Sequence, residues 1–321
     1  MALKDYSIQN EVDTRSGFGA GILALGNENP NVVALCADLV GSLKLDEFIK
    51  EFPDRFVQCG ISEANMIGLA AGMTIGGKIP FATSFANFVT GRVYDQVRQS
   101  VAYSGKNVKI AASHAGLTLG EDGATHQILE DIGLMQMLPG MVVINPCDYN
   151  QTKAATIASG RYEGPVYLRF GRPKWPNFTP ADKPFEIGKA IVMNEGKDVT
   201  IFATGHLVWK ALKAAEQLEA EGISVELVNI HTIKPLDAAA VLSSVSKTRC
   251  AVVCEEHNYI GGLGSTVATL LGRENPTPLE LVAVNDSFGE SGTPDQLLAK
   301  YKLDTPDVVA AVKKVIARKS K

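Results

Sequence analysis

Apolar, β-branched runs separated by polar stretches of helical length set the pattern of the first half of the chain. The runs are VVALCAD (32–38), PFATS (80–84), VKIAAS (108–113), MVVINP (141–146) and VYLRF (166–170). Between them lie segments such as EANMIGLAAGMTIGG (63–77) and TGRVYDQVRQSVAYSG (90–105), which read as helices. This alternation is expected of parallel βαβ units, so residues 1–171 are predicted to form a doubly wound α/β domain with a mostly parallel sheet. The helix starting at Glu63 is well begun. Ser62 can cap it, Glu63 sits beside the positive end of the dipole, and the small residues of GLAAGM allow close packing.

The pattern lapses at RPKWPNFTPADKP (172–184), whose four prolines and lack of periodicity read as an extended linker. It then restarts with VTIFAT (199–204), a helix over roughly 207–221, ISVELVNI (223–230), a helix near 237–247, CAVVCEE (250–256), GGLGSTVATLLG (261–272), LELVAV (279–284) and a closing helix over about 305–318. Residues 185–321 therefore form a second, smaller α/β domain with mixed strand order. A length of 321 residues accommodates two such cores, and 45% hydrophobic with 21% charged residues fits a compact α/β protein.

Net charge is −4 with Lys and Arg scattered, so nothing suggests nucleic acid as a partner. No membrane span or secretory signal is visible, and a cytoplasmic address is expected. The five cysteines sit mostly inside apolar runs and read as small buried hydrophobes in a reducing compartment. Cys250 and Cys254 would share a face of one strand, but no second pair completes a zinc set.

Nucleotide-binding signatures are missing: no GxGxxG follows a strand, no GxxxxGK[ST] occurs, and GGLGS (261–265) lacks a third glycine. The GxSxG elbow of serine hydrolases is missing too. What remains is LGEDGATHQ (119–127). Its glycines permit tight or left-handed backbone, and Glu121, Asp122, Thr125 and His126 can face one pocket beyond the strand 108–113. Taken alone, the stretch also reads as a surface Asx-turn leading to a helix capped by Thr125. His114, at the end of the same strand, crowds two imidazoles and two carboxylates into one βα unit. His206, His231 and His257 have no acid or nucleophile pattern around them and are expected to be structural.

GISEANMIGLAAGM, PFATSFANF, ASHAGLTLGEDGATHQ and INPCD, in this order and spacing, resemble the pyrimidine-binding domain of transketolases. VVCEEHNYIGGLGS resembles their C-terminal domain, so the likeness covers nearly the whole chain. The pyrophosphate domain of a transketolase, with its GDG motif, has no counterpart here. The resemblance therefore implies the C-terminal subunit of a split transketolase, which moves a two-carbon ketol unit from a ketose phosphate to an aldose phosphate. It implies thiamine diphosphate shared with an N-terminal, pyrophosphate-domain partner, Mg²⁺ or Ca²⁺ held mainly by that partner, and an α₂β₂ assembly or a homodimer of this chain.

Carried over residue by residue, the resemblance makes Glu63 the carboxylate that hydrogen-bonds the aminopyrimidine. Phe85 and Phe88 become the aromatic pair packed on that ring, and Asp38 an acid near the cofactor. It gives His114, Asp122 and His126 to the sugar, the imidazoles also moving protons, and Arg15, Ser42 and Arg172 to its phosphate. Glu121 reads as a neighbour rather than a contact. One departure stands out: where transketolases commonly carry a tyrosine three positions after the second phenylalanine, this chain has Gly91, with Arg92 and Tyr94 nearby. Two other readings remain open, a β subunit of a 2-oxoacid decarboxylating or 1-deoxyxylulose-5-phosphate synthase-like thiamine enzyme, and an inactive regulatory subunit.

Overall fold

Residues 3–319 are described by a computed structural model. β1 (Asn10–Asp13) leads into the helix Thr14–Glu28, which Asp13 caps by accepting the Ser16 N–H at 3.0 Å. The parallel strands β2 (Val32–Cys36), β3 (Phe56–Gln58), β4 (Ile79–Phe85), β5 (Lys109–Ser113), β6 (Val142–Ile144) and β7 (Val166–Arg169) follow. β8 (Lys174–Asn177) returns antiparallel to β1. The second half contributes β9 (Ile191–Asn194), β10 (Val199–Ala203), β11 (Val225–Asn229), β12 (Thr232–Lys234), β13 (Ala251–Asn258) and β14 (Leu279–Val284).

The larger, seven-stranded sheet has the order β12-β6-β7-β5-β4-β2-β3, and the smaller, five-stranded one β14-β13-β10-β11-β9. β2, β5 and β7 are buried along their whole length, as a parallel sheet covered on both faces requires. From β2 the chain runs outward to β3 and then returns to place β4 on the other side of β2. That reversal opens a crevice beyond the carboxyl ends of β2 and β4, the usual place for a ligand in such a sheet.

Two glycines on Thr14–Glu28 let it lie against the helix Tyr149–Arg161. A Cβ at Gly17 would stand 2.4 Å from the Tyr149 carbonyl oxygen, and one at Gly21 2.6 Å from Thr156 Cβ. On the opposite face, one apolar cluster runs from Met66, Ile67 and Ala70 through Val97 and Val101 to Phe202, Val228 and Val253. The two halves thus share a core, and β12, from the second half, supplies an edge of the first sheet.

Several expectations need correction. The stretch 172–184 is extended but not loose: β8 lies inside it, Trp175 and Phe178 are buried, and Trp175 stacks on His206 with centroids 4.5 Å apart. The helix expected over 90–105 begins later, at Tyr94–Gln96, which runs directly into the π-helical segment Val97–Tyr103; a separate short helix, Ala86–Val89, precedes it. The two are separated at Thr90, whose φ of −123° and ψ of −79° leave the helical region while its hydroxyl donates to Ala86 O at 2.6 Å. Ser62 precedes the helix Glu63–Ile75 but its side chain makes no capping hydrogen bond. Thr125 caps no helix, since the next one begins at Asp131. Cys250 lies just before β13 rather than on it with Cys254, and all five cysteines are unpaired. Among the described residues, no helix is long and apolar enough to cross a membrane.

Candidate active site

The carboxyl ends of the parallel strands bring the singled-out residues to one rim. β2 ends just before Asp38, β3 before Glu63, β4 in Phe85, β5 in Ser113 with His114 next, and β7 before Arg172. Glu63 opens the helix Glu63–Ile75 and is 4% exposed. Its Oε1 accepts a hydrogen bond from Arg92 Nη1 at 3.0 Å. Its Oε2 has no partner among the described residues.

Phe85 and Phe88 lie nearly parallel, 20° apart with centroids 5.6 Å from each other. His114 stacks on Phe85 at 3.8 Å, and His126 meets the edge of Phe88 at 5.4 Å. Arg92 lies over Phe88 with its guanidinium carbon 3.9 Å from the ring centre. Arg92 therefore joins the buried carboxylate to the aromatic pair, and the sequence noted it only as a neighbour of Gly91. Its exposed, polar character in a segment of helical period gave no signal of this contact.

His114 has φ 58°, a left-handed conformation that a non-glycine residue adopts only where its surroundings impose it. Burial, and then the positive charges of Arg15 and Arg172, push its pKa down to about 2, so the imidazole is neutral. A neutral ring offers one donor and one acceptor. Nδ1 is satisfied by the Ser113 hydroxyl at 2.8 Å, which leaves Nε2 for a ligand. His126 Nδ1 meets Thr125 Oγ1 at 2.9 Å.

Arg15 is half-buried, with its Nε 3.2 Å from Asp13 Oδ1 and its Nη1 donating to Ser42 O at 3.3 Å. Burial lowers its pKa, Asp13 opposes that, and the nearby charge of Arg172 lowers it further. The two guanidiniums thus face one region beside His114. Arg172 Nη1 donates to Leu119 O and to Glu121 Oε2, each at 2.6 Å, so Glu121 is an ion-pair partner of a residue in the site. Asp122 is exposed at the tip of the GEDG turn and makes no hydrogen bond among the described residues. Asp38 is exposed, with φ 60° and its N–H donating to Gln58 Oε1 at 2.9 Å.

The residues fit the aminopyrimidine end of thiamine diphosphate. A shielded carboxylate with one oxygen anchored and the other open can accept a ring N–H, and flat apolar faces beside it suit a heteroaromatic ring. Among the described residues, no group of three or more His, Cys, Asp or Glu is placed to hold a metal ion.

Behind this rim, where the two halves meet, lies a buried ionic cluster. Arg169 Nε donates to Asp131 Oδ2 at 2.7 Å, and the Tyr167 hydroxyl donates to the same oxygen at 2.6 Å. Glu255 accepts the N–H groups of Leu263 and Gly264, both at 2.7 Å, at the start of the helix Leu263–Glu274. Glu256 accepts from Thr118. His206, His231 and His257 are all buried, and burial pushes their pKa values down, to about 3 for His206 and about 4 for His231.

Burial raises both Glu255 and Glu256 to about 7, against the opposing charge of Arg169. Between their ordinary value of 4.5 and about 7 the folded chain holds more protons than the unfolded one, so stability falls as pH rises through that window. The melting temperature should be lower at pH 8 than at pH 6, and Glu255→Gln should shrink the difference. Equal melting temperatures of the parent chain at the two pH values would discard this account.

Carboxylate, parallel aromatic rings and paired guanidiniums at the switch of a doubly wound sheet are chemically suited to a heteroaromatic ring and an anion. Residues 10–177 match the family model described as transketolase, pyrimidine binding domain, and residues 188–308 match transketolase, C-terminal domain. The chain belongs to the transketolase family, as one subunit of a split enzyme. A solved structure described as a split gene transketolase, inactive β4 tetramer, superposes with a TM-score of 0.91 at 48% identity, over 96% of this chain and 99% of that one. The 6-deoxy-6-sulfo-D-fructose transketolase subunit of a Clostridium sp. is 44% identical over 93% of each chain. An apulose-4-phosphate transketolase subunit of Phocaeicola vulgatus is 36% identical over 92% of this chain and 95% of that one. The 2-oxoacid, 1-deoxyxylulose-5-phosphate synthase-like and inactive-subunit readings are not favoured by these likenesses.

Proposed function

We propose that this chain supplies the pyrimidine half of the thiamine site and the sugar-binding face of a transketolase acting on phosphorylated sugars. A separate pyrophosphate-domain subunit completes the site and holds the Mg²⁺ or Ca²⁺. The observation that carries the reading is Glu63, a shielded carboxylate with one free oxygen set beside Phe85 and Phe88.

Thiamine diphosphate, when bound, supplies the carbon nucleophile and electron sink needed to break a carbon–carbon bond next to a ketone. Within this chain, Glu63 accepts the ring N–H through Oε2 while Arg92 fixes Oε1. Phe85 and Phe88 exclude water from one face of the ring, and Asp38 lies near the cofactor. His114 presents Nε2 to a sugar hydroxyl, and His126, on the next turn, hydrogen-bonds a second and helps move its proton. Asp122, with no protein partner, is free to accept from a hydroxyl near the reacting carbon. Arg15 and Arg172 offer forked donors to a phosphate, with the Ser42 hydroxyl beside them.

An α₂β₂ assembly rebuilds two interfacial sites from two copies of each half. The description of a relative's β4 tetramer as inactive supports the need for a partner. Self-association of this chain is supported by the outward face of Glu63–Ile75, where Ala64, Gly68, Leu69, Gly72 and Ile75 are exposed. Unpaired, mostly buried thiols support a reducing, cytoplasmic setting, and pentose phosphate interconversion is one pathway of the right chemistry.

The test is ketol transfer with thiamine diphosphate and Mg²⁺, using the chain alone and then with its pyrophosphate-domain partner. Activity only in the mixture supports the proposal; an assembled, thiamine-loaded complex inactive across ketose and aldose phosphates rejects it. For the phosphate clamp, Arg172→Ala should raise KM for phosphorylated acceptors about tenfold or more, the scale of a lost charge-assisted hydrogen bond, and leave unphosphorylated acceptors little changed. An equal rise for both classes would count against the clamp.

A further inference from the structure

A side chain of β13, in the second half of the chain, reaches the loop that carries the sugar-binding residues. Resting on the transketolase reading above, we propose that Glu256 is a positioning residue that holds the loop 114–127 in the shape that presents His114, Asp122 and His126 to the sugar. Glu256 is 3% exposed. Its Oε1 accepts the backbone N–H of Thr118, and its Oε2 accepts the Thr118 hydroxyl at 3.1 Å, across 138 residues of sequence. Both oxygens are thus spent on a single residue of the loop.

The loop needs such an anchor. Gly116, Gly120 and Gly123 have φ values of 79°, 94° and 73°, and glycine in this region gains no local preference for one conformation over its many others. The loop's own backbone bonds, such as Gly123 N–H to Gly120 O at 3.2 Å and Gln127 N–H to Gly123 O at 3.0 Å, close its turns, and side-chain contacts from outside fix those turns in place. Glu256 provides the deepest of them. A Cβ at Gly116 would lie 2.5 Å from the Glu256 carboxyl carbon, so the loop is laid directly on the carboxylate.

The grip passes outward along the chain. Leu119, next to Thr118, gives its carbonyl to Arg172, and Glu121 takes the same guanidinium. At the far end, Gln127 Nε2 lies 3.1 Å from Leu117 O and 3.0 Å from Glu290 O, tying the loop to the second half again. Glu256 is itself set by Arg169, whose Nη2 donates to the Glu256 backbone oxygen at 2.9 Å. None of these contacts involves Glu63, Phe85 or Phe88. The second half thereby acts first on the sugar-binding residues, and it reaches the aromatic pair indirectly, through His114 and His126, which pack on Phe85 and Phe88.

Two variants test this. Thr118→Val keeps the shape and removes one donated bond. Glu256→Gln turns one acceptor into a donor facing Thr118. Hydrogen exchange of the whole chain should show amides of 116–124 exchanging about tenfold faster or more in both, as expected for loss of a hydrogen bond to a charged group, with amides of 63–75 unchanged. In the reconstituted complex the acceptor KM should rise several-fold and kcat should fall with it, because the loop also carries the proton-moving His126, while thiamine diphosphate affinity stays near that of the parent and Thr118→Ser restores KM.

Unchanged loop exchange in both variants overturns the proposal whatever the activity. So does a loss of thiamine diphosphate affinity in step with KM, which would mark general damage. If the loop loosens as expected but the parent complex transfers no ketol unit, the transketolase reading fails and the anchoring of the loop by Glu256 stands.

Discussion

Glu63→Gln should lower ketol-transfer kcat of the reconstituted complex by about 10²-fold or more, the range of a positioned proton-transfer group. The glutamine keeps the volume of a side chain that is 4% exposed, and Arg92, nearly half exposed, can turn to water when its partner loses charge. The melting temperature should therefore move little. What changes is the second oxygen: a carboxamide presents either an N–H or a weaker acceptor to the ring nitrogen, and the site loses the charge that favours a proton there. Thiamine diphosphate affinity, read by calorimetry on the complex, should fall less than kcat, because the apolar contacts of Phe85 and Phe88 remain. A variant with near-parental turnover would remove Glu63 from the mechanism.

Phe85 and His114 were legible in the sequence because they close or follow directly on strands, whose carboxyl ends converge whatever the details of the helices between them, whereas Glu63 was legible from the helix it opens and the resemblance of GISEANMIGLAAGM. The strands themselves were readable where the sheet is covered on both faces. β2 and β5 are unbroken apolar runs for that reason. β3 and β12 are edge strands of three residues, too short for any period to register. β8 was hidden by Pro176 within it and Pro173 just before it; Pro176 is tolerated because, among the described residues, the strand pairs with β1 alone.

The helix expected over 90–105 forms only over 94–103, because the backbone leaves helical geometry at Thr90, and the turn between brings Arg92 back over Phe88 and beside Glu63. Glu256 was beyond reach altogether. In sequence it is one acid in CEEHN, and its meaning depends on β13 meeting a loop 138 residues away.

Arg169→Met should be the most destabilising single change in the core between the two halves, at about 3–5 kcal/mol, the cost of stranding a buried charge by removing its partner. Arg169 is the cation of the cluster: it binds Asp131 through Nε, donates to the Glu256 backbone and lies near Glu255. Without it Asp131 keeps only the Tyr167 hydroxyl and three carboxylates share a dry space.

Asp131→Asn should cost less, because Glu256 can then serve as the counter-ion to Arg169. The two variants also differ in their response to pH. Burial pushes Asp131 upward, but Arg169 outweighs it and holds the carboxyl below its ordinary range. Glu255 and Glu256 already stand at about 7, with Arg169 working to lower them, so its removal pushes both higher. At pH 6 they take up protons and relieve the repulsion; at pH 8 folding must work against that uptake. Urea unfolding should therefore show the Arg169→Met deficit growing from pH 6 to pH 8, and the Asp131→Asn deficit shrinking or holding level. Equal deficits for Arg169→Met at the two pH values would mean that packing rather than charge sets its cost.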